Sequence, residues 1–177
     1  MGAKLENTTI IHAGRVFTLA KERLTLENGN TVDLEIIRHP GAAAIVPLKG
    51  KDNLLLIKQF RRAAGGYIWE IPAGTLNKGE DPLTCAHREL EEETGFSARS
   101  MEKMGEIIPV PGYSDERIHI FLAADLVPAT QNLDKDELLS VHEIPVSEAI
   151  SMALAGRIQD GKTLAGLFFL NLKRNNV

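Results

Sequence analysis

An α/β or α+β sandwich with a small N-terminal antiparallel β appendage is the fold class predicted by this 177-residue sequence. Short apolar runs suited to buried strands recur along the chain, a helix with clear start and stop signals lies among them, and two further helical stretches close the sequence. The composition is globular, 44% hydrophobic and 25% charged, with 15 Gly and 8 Pro. A chain of this length buries roughly two-thirds of its unfolded surface, so its core needs neither disulfide nor metal.

Residues 8–38 are expected to form strands. Leu24 and Leu26 alternate with Thr25 and Glu27, and Val32, Leu34 and Ile36 alternate with Asp33 and Glu35. Between the two runs stands Asn28-Gly29-Asn30, a strong hairpin signal. A lone hairpin is marginal in water, so its apolar face needs a partner surface. His39-Pro40-Gly41 marks a boundary, which divides the chain into segment 1–40 and domain 41–177.

Residues 42–48 and 54–57 are apolar runs joined by a Gly50-Lys51-Asp52-Asn53 turn, the pattern of buried strands. Another strand is expected at 67–71, closed by Pro72. Asp81-Pro82 suits a helix start, since Asp accepts from free N–H groups and Pro loses only an unpaired donor. That helix runs to Thr94, with Gly95 as its stop. Strands at 117–126 and 138–144 and helices at 147–155 and 162–173 complete the series.

The net charge of −4 argues against a general nucleic-acid binder. The single cysteine, Cys85, excludes an internal disulfide and fits a reducing compartment. No apolar run exceeds five residues, too few to span a membrane. Residues 1–9 show no secretory signal, so the expected localisation is cytoplasmic.

The informative stretch is GTLNKGEDPLTCAHRELEEETGF, from Gly74 to Phe96. Glu89, Glu92 and Glu93 lie three and four apart, so their carboxylates share one helix face. Like charges at that spacing cost an isolated helix about 0.2–0.5 kcal/mol a pair, which a hard dication would offset. Arg88 is placed to brace a carboxylate bidentately. Gly74 would allow a tight turn that aims the Ala73 carbonyl at the helix.

This stretch resembles the Nudix box, Gly-x5-Glu-x7-Arg-Glu-U-x-Glu-Glu-x-Gly-U with U apolar, at every position: Gly74, Glu80, Arg88, Glu89, Leu90, Glu92, Glu93, Gly95 and Phe96. A chance match is on the order of 10⁻¹⁰ per window at ordinary residue frequencies. The resemblance implies a Nudix hydrolase, an α/β/α sandwich with a mixed sheet that uses Mg²⁺ (or Mn²⁺ in its place) and metal-activated water. Glu89, Glu93 and the Ala73 carbonyl are then the expected metal ligands. Glu92 is expected close by, Glu80 as a supporting carboxylate, and Arg88 as the residue that orients the acids.

Features outside the box resemble the branch that cleaves ADP-ribose and other nucleoside diphosphate sugars. Pro111 lies 15 residues after Phe96 in Pro111-Gly112-Tyr113-Ser114-Asp115-Glu116, and Gln59-Phe60-Arg61 and Trp69-Glu70-Ile71-Pro72-Ala73-Gly74 fit the same branch. The resemblance makes Arg61 a phosphate clamp, Glu70 a substrate neighbour and Glu116 a contact to the terminal sugar. Glu137 is the expected catalytic base or an additional ligand. Asp160-Gly161-Lys162 resembles the nucleoside diphosphate sugar hydrolases. Lys162 opposes the helix dipole by up to about 1 kcal/mol unless an anion or carboxylate faces it.

The expected substrate is therefore a nucleoside diphosphate sugar, with no nucleic acid or membrane partner. In the ADP-ribose branch an N-terminal segment is exchanged between subunits, so a domain-swapped homodimer is expected. The competing readings are a hydrolase of dinucleoside polyphosphates or RNA 5′ ends, and a non-catalytic Nudix-like sensor. The Pro111 offset and the absence of a basic tract argue against the first, and the intact box against the second.

Overall fold

The computed structural model describes residues 2–175. Two sheets organise it. The first is a three-stranded antiparallel sheet of β1 (Ala3–Ala13), β2 (Thr18–Leu26) and β3 (Thr31–Arg38). Gly29, at φ +81°, makes the turn between β2 and β3, and its N–H donates to the Leu26 carbonyl at 2.9 Å. The alternation in 24–36 is realised as the register Leu24↔Val32, Glu22↔Leu34 and Ala20↔Ile36. β1 is exposed along its whole length, and Leu5, Ile10 and Ile11 remain about half exposed.

The second sheet contains seven strands. Five follow the order β10 (Leu139–Pro145), β5 (Asn53–Arg61), β4 (Ala42–Lys49), β9 (Ile118–Pro128), β8 (Phe96–Ile107). β6 (Gly66–Glu70) pairs with β5, and β7 (Ala73–Thr75) pairs with β4. β4 and β9 are parallel and the other pairs antiparallel, so the sheet is mixed.

β4 reads as one continuous apolar run because both of its faces are covered. Ala43 and Ile45 pack with Cys85, Ala86 and Leu90 of α1 (Pro82–Thr94). Ala44 and Val46 pack with Met152 of α2 (Val146–Leu154) and Leu167 and Leu170 of α3 (Gly161–Asn175). Each fully buried Leu or Ile contributes about 1.5–3 kcal/mol. Gly166 lets α3 sit close: a Cβ there would lie 2.8 Å from Val46 and 3.1 Å from Ile71.

The predicted helix signals are realised. The Asp81 side chain accepts from the N–H groups of Leu83 and Thr84, and Gly95 closes α1 at φ +71°. α2 stops before Gly156, at φ +69°. The strand region expected at 8–38 starts at residue 3, and β7 and β8 lie outside the expected strands.

The two sheets meet at the end of β3. Ile37 N–H donates to the Tyr113 carbonyl at 2.7 Å, and Asp115 N–H to the Ile37 carbonyl at 3.1 Å. Arg38 pairs with the buried carboxylate of Glu22 and with Asp115 at 2.8 Å. No helix among the described residues is long and apolar enough to cross a membrane.

Candidate active site

The site is built where α1 crosses the short strand β7. Arg88 is its organiser. Its Nε donates to Glu80 Oε1 at 2.9 Å and its Nη2 to Glu80 Oε2 at 3.0 Å. Nη1 reaches Glu89 Oε1 at 2.5 Å and Glu92 Oε2 at 3.0 Å. One guanidinium thus pairs with three acids and offsets the repulsion between Glu89 and Glu92, a role expected of a metal from the sequence, while Glu93 is not among its partners. The Arg88 hydrogen bond holds the Glu80 carboxyl down to about 2.

Glu89 and Glu93 are buried, 7% and 1% exposed. Burial raises the Glu89 carboxyl above its usual range even beside Arg88. Burial, and then the charge of Glu89, push Glu93 well above that range. Glu93 Oε2 accepts from the Ala73 N–H at 2.9 Å. The contact at Ala73 therefore runs through its amide, and this amide ties β7 to α1.

Gly74 corrects an expectation. It is not a turn glycine: it lies in β7, outside the left-handed region. Its value is the absence of a side chain, since a Cβ there would lie 1.9 Å from Glu89 Oε1 and 2.0 Å from its carboxyl carbon. The Glu89 carboxylate rests directly on the Gly74 backbone.

A second cluster joins β5, β6 and the start of α3. Arg61 Nε and Nη2 donate to the two oxygens of Glu70 at 2.9 and 2.8 Å. Lys162 Nζ donates to Glu70 Oε2 at 2.6 Å and lies 3.1 Å from Asp160 Oδ2. The conflict of Lys162 with the helix dipole is thus relieved by carboxylates. Burial pushes Glu70 upward, but the hydrogen bonds and charges of Arg61 and Lys162 outweigh it and leave the carboxyl low. Asp160 also caps α3, accepting from the Thr163 N–H at 3.0 Å and its hydroxyl at 2.6 Å. Thr163 Oγ1, fully buried, accepts from the Ile71 N–H at 2.8 Å. Nothing in the sequence singles out Thr163, an ordinary residue in the first turn of a helix.

The two clusters adjoin, because the Arg61 charge acts on Glu93. Glu137 lies within electrostatic reach of the acids, since its charge acts on both Glu89 and Glu93. Its loop is pinned to the end of α1 by Gln131 Nε2 on the Glu93 carbonyl at 2.7 Å and Asn132 N–H on the Glu92 carbonyl at 3.0 Å. Glu137 Oε2 also accepts from the Asp134 N–H at 2.9 Å. Glu116 stands apart, 3.7 Å from His39 and beside the Arg38–Asp115 pair.

Among the described residues no three His, Cys, Asp or Glu side chains already form a metal cage. Glu89 is turned to Arg88, and Glu93 to an amide. The donor set nonetheless fits a hard dication, which is commonly held by one or two carboxylates together with substrate phosphates. Two buried, mutually repelling carboxylates, one of them cradled on a glycine, are disfavoured until a cation arrives. Cys85 has no part in this, because burial pushes its thiol up to about 12.

Comparison with known proteins identifies the family. The model of the NUDIX domain matches residues 38–167. The ADP-ribose pyrophosphatase of Bacillus subtilis (strain 168) is 38% identical over 175 residues, covering 96% of this chain and 95% of the relative. The methanol dehydrogenase activator of Bacillus methanolicus is 38% identical over 179 residues, covering 98% and 97%. A crystal structure of an ADP compounds hydrolase superposes with a TM-score of 0.87 at 23% identity, over 99% of this chain and 96% of that one, which establishes the shared fold. With an intact box, a buried carboxylate pair and a family match across most of its length, this chain belongs to the NUDIX domain family.

Proposed function

We propose that the chain hydrolyses the diphosphate linkage of nucleoside diphosphate sugars, ADP-ribose among them, to a nucleoside monophosphate and a sugar phosphate. Mg²⁺ is the proposed metal, with Mn²⁺ as a substitute. One observation carries the reading: buried Glu89 and Glu93 lie together within electrostatic reach of Glu137, and Glu93 also within reach of Arg61. The name of the Bacillus subtilis relative, ADP-ribose pyrophosphatase, supports the substrate class.

Glu89, Glu93 and the Ala73 carbonyl would hold the metal, which when bound neutralises the diphosphate and acidifies a water. Arg88 keeps Glu89 and Glu92 in position, so the acids are ordered before substrate arrives. Arg61, fixed by Glu70, spreads charge that develops on a phosphoryl oxygen. Lys162, aligned by Asp160 and Glu70, adds a second cation toward the substrate. Glu137 takes the proton of the attacking water. Glu116 is proposed at the sugar end of the substrate.

Segment 1–40 is proposed as a dimerisation element of Nudix domain 41–177. Leu5, Ile10, Ile11, Val16, Phe17 and Leu34 stay exposed in the single chain, and this apolar surface suits a second copy.

A coupled phosphatase assay over ADP-ribose, ADP-glucose, GDP-mannose, UDP-glucose and a dinucleoside tetraphosphate, with and without Mg²⁺, tests the reading. Release of phosphate from the sugar substrates only when Mg²⁺ is present is the expected result. Preference for the tetraphosphate, or turnover independent of metal, would contradict it.

A further inference from the structure

Gln59 is the one residue of β5 whose chemistry and place disagree. Along this strand Lys58 and Phe60 face solvent, while Gln59 and Arg61 alternate inward onto a shared face. The positions before it on that face, Leu55 and Ile57, are apolar and buried. Gln59 is 3% exposed, and its Oε1 is fully buried with no hydrogen-bond partner among the described residues. A buried orphan amide weakens a fold, and an apolar residue of similar shape would serve packing better.

Its neighbours point to a ligand. Arg61, one pleat away, is held by Glu70 and acts on Glu93. Across the ladder Gln59 faces Leu139 of β10, two residues beyond Glu137, and Ile68 of β6. The amide thus lies between the cationic cluster and the loop bearing the proposed base.

We propose that Gln59 Oε1 is an acceptor built into the site for a hydroxyl hydrogen, carried by the attacking water or by a sugar hydroxyl of the substrate. Gln59 stays polar for binding, and folding bears the cost. The inference rests on the proposed diphosphate hydrolase activity.

The test is Gln59→Met, with Gln59→Leu as a second variant, measured by thermal melt and by steady-state hydrolysis of ADP-ribose with Mg²⁺. The expected result is a melting temperature unchanged or raised by about 3 °C, with kcat/KM lowered about 10-fold or more. A fall in kcat alone assigns the hydrogen to water, and a rise in KM alone assigns it to the sugar. Lower melting temperatures in both variants, or kcat/KM within about twofold of wild type, would overturn the proposal. A wild-type protein without turnover would instead defeat the underlying activity, so the two failures are distinguishable.

Discussion

Gly74→Ala separates site geometry from folding. Ala is compatible with the backbone of β7, because Gly74 has no left-handed φ. The new methyl would lie 1.9 Å from Glu89 Oε1, so the carboxylate must retreat by about 1.5 Å to reach ordinary contact. Glu89 is the far end of a flexible side chain, which places the folding cost at the low end for overpacking, about 1–2 kcal/mol. For a domain of this size that lowers Tm by about 2–8 °C. The functional cost is much larger, since displacing a positioned group by about 1 Å costs roughly 100-fold in rate. The assay pairs a thermal melt with kcat on ADP-ribose at saturating Mg²⁺. In a Glu89→Ala background, Gly74→Ala should destabilise less than in the wild type, because its three nearest contacts, all atoms of the Glu89 carboxylate, are gone. A Gly74→Ala protein with normal kcat, or one whose activity falls only as far as its unfolded fraction, would refute the cradle.

Three further outcomes follow from the same contacts. Burial raises Glu93, so the folded protein binds more protons than the unfolded chain from the ordinary value of 4.5 up to the raised one, and metal-free stability falls as pH rises through that window. In the presence of a chelator, the Tm of Glu93→Gln relative to wild type should therefore climb as pH rises above the ordinary carboxylate value, and a constant difference would contradict the assignment. Thr163→Val leaves the Ile71 N–H without its acceptor and should cost about 1–3 kcal/mol in urea unfolding, with Thr163→Ser restoring most of it. Light scattering should give twice the 19.4 kDa chain mass, whereas a concentration-independent monomer would remove the dimer.

Much of the fold was legible where local chemistry and tertiary context agree. Asp81-Pro82 and Gly95 bound α1 because caps act within a single turn. Asn28-Gly29 fixed the hairpin, and the two-faced burial of β4 left an unbroken apolar run. β8 escaped because its twelve residues are only half-buried and a register shift between Lys103 and Gly105 breaks the alternation. The first half of β1, residues 3–7, escaped because none of its residues is buried, so no apolar period marks it. β7 is three residues long, and only its pairing with Ala42, Ala43 and Ala44 defines it.

In the site, Arg88, Glu89, Glu92 and Glu93 were legible because they share one helix, and Glu80 because it stands at a fixed spacing just before that helix. The contacts of Arg61 with Glu70 and of Glu70 with Lys162 join positions up to 92 apart, which no local pattern encodes. Lys162 left a trace, because a cation in the first turn of a helix calls for a carboxylate partner. Gln59 left another, a polar residue standing in line with Leu55 and Ile57, whose meaning emerged only with its burial.

The most direct measurement is the rate of AMP release from ADP-ribose by Glu89→Gln and Glu93→Gln at saturating Mg²⁺, with folding verified by thermal melt. Loss of a carboxylate that holds the metal should lower turnover at least about 100-fold in each variant, because metal stabilisation of the transition state is worth several kcal/mol. Folded variants that release AMP at near the wild-type rate would contradict the assignment of these two residues, and with it the account of the site.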